Sequence, residues 1–121
     1  MEDARRIVFD SLRDRLCGVD FEHFQRALSD FEFLPVKVGG QTVGAILRKG
    51  SELHAAVLPC ARGKWIGRSQ LRVVADTIRK HGEATSSVMN GHEAGHRFAR
   101  RLGFVECGRD NRITYYRKAQ A

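Results

Sequence analysis

The stretch Val57-Leu58-Pro59-Cys60-Ala61-Arg62-Gly63-Lys64-Trp65-Ile66-Gly67-Arg68 decides the fold. An apolar run of strand character stops at Pro59, crosses a glycine-bearing basic loop and enters a segment whose apolar residues Leu71, Val74, Ala75 and Ile78 recur at helical spacing. Strand, loop and helix in that order make an anion cradle. The first amides of a helix have no intrahelical acceptor and carry partial positive charge, so a loop that turns them inward can hold a pyrophosphate with main-chain donors alone. Arg62, Lys64 and Arg68 add positive charge around it. Spacing excludes two other phosphate loops: neither the Gly-Lys-Ser/Thr pattern of a nucleoside-triphosphate loop nor G-x-G-x-x-G after a first strand is present.

Upstream of the loop, Ala4, Ile7, Val8, Leu12 and Leu16 predict a helix over Asp3 to Leu16 with Gly18 as its C-terminal cap. Asp20 caps a second helix whose stripe of Phe21, Phe24, Leu28 and Phe31 belongs to a core. Phe33 to Val38 and Gln41 to Leu47 read as strands joined by a tight turn at Gly39-Gly40, and Glu52 to Leu58 as a central strand, apolar on both faces at its end. Downstream, the helix stops at Gly82 and Ala84 to Met89 is a further strand. Asn90 and Glu93 have the spacing of a capping box for a helix carrying Ala94, Phe98 and Leu102 on one face and ending at Gly103. Phe104 to Cys107 and Arg112 to Arg117 close the chain as a hairpin. The order is α-α-β-β-β-α-β-α-β-β.

Length and composition narrow the class. At 121 residues the expectation is one domain over 1–121 with a single core. No apolar run approaches the ~20 residues of a membrane span, and Met1 to Arg6 lacks the apolar stretch of a secretion signal, so a cytoplasmic protein is expected. Cys17, Cys60 and Cys107 are odd in number, widely spaced and without a C-x-x-C pair, which argues for reduced, mostly packed thiols rather than disulfides or a thiolate zinc site. A net charge of +7 favours an acidic partner, and coenzyme A, nucleic acid and acidic proteins all qualify. No nucleic-acid-binding motif is present, so that partner is a minority reading.

The element order, the loop Arg62-Gly63-Lys64-Trp65-Ile66-Gly67 and the segment Arg100-Arg101-Leu102-Gly103-Phe104 together resemble the GNAT superfamily of N-acetyltransferases, from about Phe33 to the C-terminus. Arg62 and Gly67 match the ends of that family's pyrophosphate motif, while Trp65 stands where its first glycine is usual. The resemblance implies an α/β (α+β) fold: a mixed, mostly antiparallel sheet with helices on both faces and a shortened N-terminus. It also implies acetyl-CoA as acyl donor, an amine acceptor of unknown identity, and direct attack in a ternary complex. Arg62, Gly63, Lys64, Trp65, Ile66, Gly67 and Arg68 would bind the cofactor, and a backbone amide at Val57 or Leu58 would hold the thioester carbonyl.

Acetyl transfer needs a base for the amine and an acid for the leaving thiolate. By resemblance Glu52 is the base, and alternation places His54 on its face. The tyrosine that many members use as acid, five positions before the phenylalanine of Leu-Gly-Phe, is Ala99 here, so the acid falls to Tyr115, with Tyr116 or His96 as substitutes. His92 replaces an asparagine usual at the opening of that helix, and Gly95 a usual alanine. The run His92-Glu93-Ala94-Gly95-His96 also satisfies H-E-x-x-H, the helix of zinc hydrolases, although no H-x-x-G-x-x-H extension follows. Ala99 and Trp65 support a different class of reading, a noncatalytic GNAT-like binding or structural module with a protein partner or a second copy, virion-associated if the chain is phage-encoded.

Overall fold

The computed structural model describes residues 4–12, 18–61 and 63–119. Its elements are α1 (Ala4–Ser11), α2 (Phe21–Ala27), β1 (Glu32–Val38), β2 (Gln41–Lys49), β3 (Glu52–Val57), a 3₁₀ turn (Pro59–Ala61), α3 (Arg68–His81), β4 (Glu83–Met89), α4 (Glu93–Arg101), β5 (Val105–Arg109) and β6 (Ile113–Ala119). The order is the predicted one, and the strands follow one another as β1-β2-β3-β4-β6-β5 in a six-stranded mixed sheet. The Leu16 end of the first predicted helix lies outside the described residues. The chain divides into two compact units, Met1–Lys49 with Ala55–Gly67, and Gly50–His54 with Arg68–Ala121.

The first unit is built on phenylalanine. Val8 and Phe9 of α1, Phe24 of α2, and Ala45 and Leu47 of β2 are buried together, with Phe21, Leu28, Phe31, Phe33 and Ala56 packed around them. The rings of Phe9 and Phe24 meet edge to face at 5.3 Å, the arrangement favoured by aromatic quadrupoles. Asp20 caps α2 as predicted, its Oδ1 accepting the His23 amide at 2.8 Å. Gly39 and Gly40 both take positive φ, 59° and 82°, as a two-residue hairpin turn demands, and set the β1–β2 register from Val38↔Gln41.

In the second unit β3 runs parallel to β4, with Glu52 paired to Thr85 and the Thr85 amide donating to the Ser51 carbonyl at 2.8 Å. β4 pairs antiparallel with β6 from Glu83↔Ala119 to Met89↔Ile113, and β5 pairs antiparallel with β6 across a bulge between Glu106 and Gly108. The crossovers β3-α3-β4 and β4-α4-β5 both join parallel strands and step the same way along the sheet. Because such crossovers are right-handed, α3 and α4 cover the same face of this unit. That face carries Ala84, Val88, Thr114, Tyr116 and Lys118, and Lys118 Nζ donates to the carbonyl of Leu102 at the end of α4. A Cβ at Gly95 would lie 2.8 Å from Val88 Cγ1 and 2.6 Å from the His92 ring, so glycine replaces the usual alanine because α4 sits close on β4.

Three expectations are corrected. Leu71 is exposed, and the buried line of α3 is Gln70, Val74, Thr77 and Ile78, a rotation of the apolar stripe by about one residue. Asn90 does not cap α4. Its side chain donates to the Asp110 carbonyl and accepts from the Thr114 hydroxyl at 2.6 Å, tying β4 to the β5–β6 hairpin, while His92 occupies the N-cap without a side-chain bond. The thiols of Cys60 and Cys107 are free and exposed rather than packed, and Cys17 lies outside the described residues.

Candidate active site

Glu52 and His54 share a face of β3, as alternation requires, and their side chains meet at 2.5 Å between Oε2 and Nε2. Both remain partly accessible, Glu52 at 45% and His54 at 28% of the side chain. The carboxylate accepts only, so it holds the ring in the tautomer with its proton on Nε2. A carboxylate and an imidazole in contact on an accessible strand can take up a proton and pass it between them. Register places Thr85 beside Glu52 and Ser87 beside Tyr115, so all four lie on the face of the second unit opposite α3 and α4.

Tyr115 is 42% exposed on that face, and its hydroxyl donates to Asp110 Oδ2 at 3.1 Å. This bond, with the negative charge of Asp110, raises the Tyr115 pKa above its ordinary 10.0. Asp110 in turn is held below its ordinary 3.8, first by the Arg112 amide, then by the Ile113 amide, and then by Tyr115. A depressed carboxylate contributes stability above its unfolded pKa and loses it as pH falls through its folded value. Thermal melts below pH 4 should therefore show an acid-induced loss of stability that Asp110→Asn shows less of. Identical pH dependence in parent and variant would mean that this turn carries none of it.

Tyr116, the neighbouring candidate acid, points the other way. It is buried against α4, where its hydroxyl meets His96 Nδ1 at 2.7 Å. His96 Nε2 faces the carbonyls of Met89 and Asn90 at 3.0 and 3.1 Å, which can only accept, so Nε2 carries the proton and the Tyr116 hydroxyl donates to Nδ1. Both ring nitrogens of His96 are thus engaged inside the unit. The H-E-x-x-H reading fails on this geometry, since its second histidine is a structural strut, and among the described residues no three metal-ligating side chains converge. The i to i+4 spacing alone could not show that His96 turns inward.

The loop after β3 is a series of tight turns. The Leu58 amide donates to Val43 at 2.8 Å, that of Ala61 to Leu58, and that of Lys64 to Ala61, while Gly63 takes φ 82°. The Leu58 amide is thereby occupied, which leaves Val57 as the candidate donor to a thioester carbonyl. Trp65 is buried at 7% exposure, so its ring packs within the protein, whereas Gly63, Lys64, Gly67 and Arg68 are exposed and Ile66 is partly so. Arg62 lies outside the described residues.

No protein-family model and no curated protein sequence matches this chain. Solved structures do. A ribosomal-protein-alanine N-acetyltransferase from Brucella melitensis is similar at TM-score 0.70 and 21% identity, over 96% of this chain and 94% of that one. A GNAT-family acetyltransferase from Bacillus anthracis is similar at 0.73 and 12%, over 96% and 86%. The chain has the GNAT fold. A GNAT-family acetyltransferase from Elizabethkingia anophelis, solved with acetyl-CoA bound, is similar at 0.69 and 10%, over 99% and 92%. β3 precedes the glycine-bearing loop and α3 follows it. Among the described residues, no helix is long and apolar enough to cross a membrane.

Proposed function

We propose that this chain is an acetyl-CoA-dependent N-acetyltransferase acting on an amine. The observation that carries the reading is the Glu52–His54 contact of 2.5 Å on the strand that runs into the glycine-bearing loop of a GNAT fold. Binding of acetyl-CoA by a neighbour of this fold is consistent with it.

The loop from Arg62 to Arg68 holds the pyrophosphate by the charges of Arg62, Lys64 and Arg68 and by the amides that open α3, and Trp65 and Ile66 shape the loop. The Val57 amide polarises the thioester carbonyl. Glu52, oriented by His54, accepts a proton from the substrate ammonium, directly or through water. The amine nitrogen then forms a bond to the carbonyl carbon, the carbon–sulfur bond breaks, and the nitrogen's surplus proton passes to the leaving thiolate, for which Tyr115 is the relaying hydroxyl on the Glu52 face. No covalent enzyme intermediate is needed, so the exposed Cys60 and Cys107 have no part in the reaction.

Calorimetric titration of the protein with acetyl-CoA tests the reading, beside a variant carrying Arg62→Ala and Gly67→Asp. Saturable binding is expected in the parent. The variant loses one positive charge and gains a carboxylate, so its affinity should fall at least about tenfold, given about 1.5–3 kcal/mol per charge-assisted hydrogen bond. Ala99, buried at 4% where many members carry their acid, favours a noncatalytic module as the second reading. A folded parent that fails to bind acetyl-CoA would establish that reading instead.

A further inference from the structure

Among the described residues some arginines are ion-paired and others, Arg26 and Arg68 included, are not. Arg6, Arg48, Arg79, Arg109 and Arg117 each meet a carboxylate, namely Asp10, Glu32, Asp76, Glu106 and Glu83. Arg72 on α3 and Arg97, Arg100 and Arg101 on α4 do not: among the described residues they have no ion pair or hydrogen-bonded side-chain partner, and all four are exposed. Arg72 lies opposite the buried line of Gln70, Val74, Thr77 and Ile78, Arg97 and Arg101 lie away from the buried His96 and Ala99, and Arg100, one turn after His96, flanks that line. Because both helices cover the same face of the second unit, these side chains belong to one outer surface. The surface holds few carboxylates: Asp76 is taken by Arg79, and Glu93 opens α4, where it complements the positive helix end.

We propose that the outer surface of α3 and α4 docks the phosphate backbone of a nucleic acid. A guanidinium that lacks a carboxylate presents parallel N–H donors matched to two phosphate oxygens. Four of them over two helices on one face of the sheet fit a repeating polyanion better than a single phosphate. Helix stability does not explain them all. Arg100 and Arg101 sit in the last turn of α4, where positive charge offsets the dipole, but Arg72 and Arg97 lie in helix interiors and gain nothing from it. An anionic membrane would call for large apolar anchors among the charges, and the exposed large apolar side chain of these helices is Leu71 alone among the described residues. Base-reading side chains are not part of the argument, so binding is expected to follow backbone charge rather than sequence.

The proposal is independent of acetyl transfer and is tested without acetyl-CoA. Fluorescence anisotropy of a labelled 20-base-pair DNA duplex and of its single strand is recorded at 50 to 300 mM KCl. The comparison is R72Q/R97Q against R26Q/K37Q, a control that removes the same charge from exposed positions of the first unit. Far-UV circular dichroism melts check that both are folded. The parent should bind the duplex in the micromolar range at 50 mM KCl, with affinity falling linearly on logarithmic axes as salt rises. R72Q/R97Q should weaken it by about tenfold and make the salt slope shallower by roughly 2, while the control leaves the slope within about 1 of the parent. If R72Q/R97Q is unfolded, R97Q alone should show about half that slope change. Absence of binding at 50 mM KCl, equal losses in variant and control, or tighter binding to phosphatidylserine vesicles than to either oligonucleotide would each overturn the proposal.

Discussion

Glu52→Gln is expected to lower kcat for acetyl transfer by about 10²–10³-fold, while the affinity for acetyl-CoA stays within about twofold of the parent. The change keeps the shape of the side chain and its capacity to bond His54, and it removes the only group of the pair that is a carboxylate base. The measurement is release of free coenzyme A thiol with an amine acceptor found by screening, across pH 6 to 9. Since Glu52 and His54 touch at 2.5 Å, their losses should not add: His54→Asn should cost less than Glu52→Gln, and the double variant no more than about threefold beyond Glu52→Gln alone. Parental turnover in Glu52→Gln would make the contact a surface ion pair and remove the base from the mechanism. Loss of acetyl-CoA affinity along with turnover would point to damage of the fold instead.

Gly44→Ala is expected to cost about 3 kcal/mol of stability and at least about 10 °C in melting temperature. A Cβ built there lies 2.1 Å from the Ala56 carbonyl oxygen, 2.7 Å from Val57 Cα and 2.8 Å from Val57 Cγ1. Two of those atoms are backbone of β3, so no side-chain rotation relieves the contact. β3 must move away from β2, and the bond from the Leu58 amide to Val43, at 2.8 Å, is the first to stretch. The same shift would displace the Val57 amide, so a surviving Gly44→Ala protein should also bind acetyl-CoA more weakly than the parent. A thermal melt by circular dichroism reads the first effect, and an unchanged midpoint would show that β2 and β3 are not held at this separation in solution.

Much of this protein was legible along the chain because the signals were local. Helical spacing marked α1, α2 and α4; Gly39-Gly40 marked a hairpin through the conformations those residues alone adopt easily; Asp20 announced the start of α2 by its reach to the His23 amide. Strand alternation put Glu52 and His54 on one face. Each of these follows from backbone geometry within a few residues. Composition also carried the charge of +7, but not where it is left unpaired.

Tertiary structure decided the rest, since it depends on partners distant in sequence. Asn90 has the spacing of a cap, yet Thr114 and Asp110 offer it better partners across the hairpin, so the local preference loses. His96 reads as a metal ligand or an acid until Tyr116, twenty positions on, engages Nδ1 and the end of β4 engages Nε2. Tyr115 and Tyr116 are equivalent as letters; pairing of β6 with β4 and burial by α4 send one to the accessible face and the other to the core. Leu71 is exposed although it belongs to an apolar period, because the approach of α3 to its strands, rather than hydropathy alone, chooses the buried line. The sequence by itself determined the order of elements, the turns and the facing of β3, all short-range matters of backbone conformation; the choice among chemically similar side chains was made by packing, which alone brings distant groups within hydrogen-bonding reach.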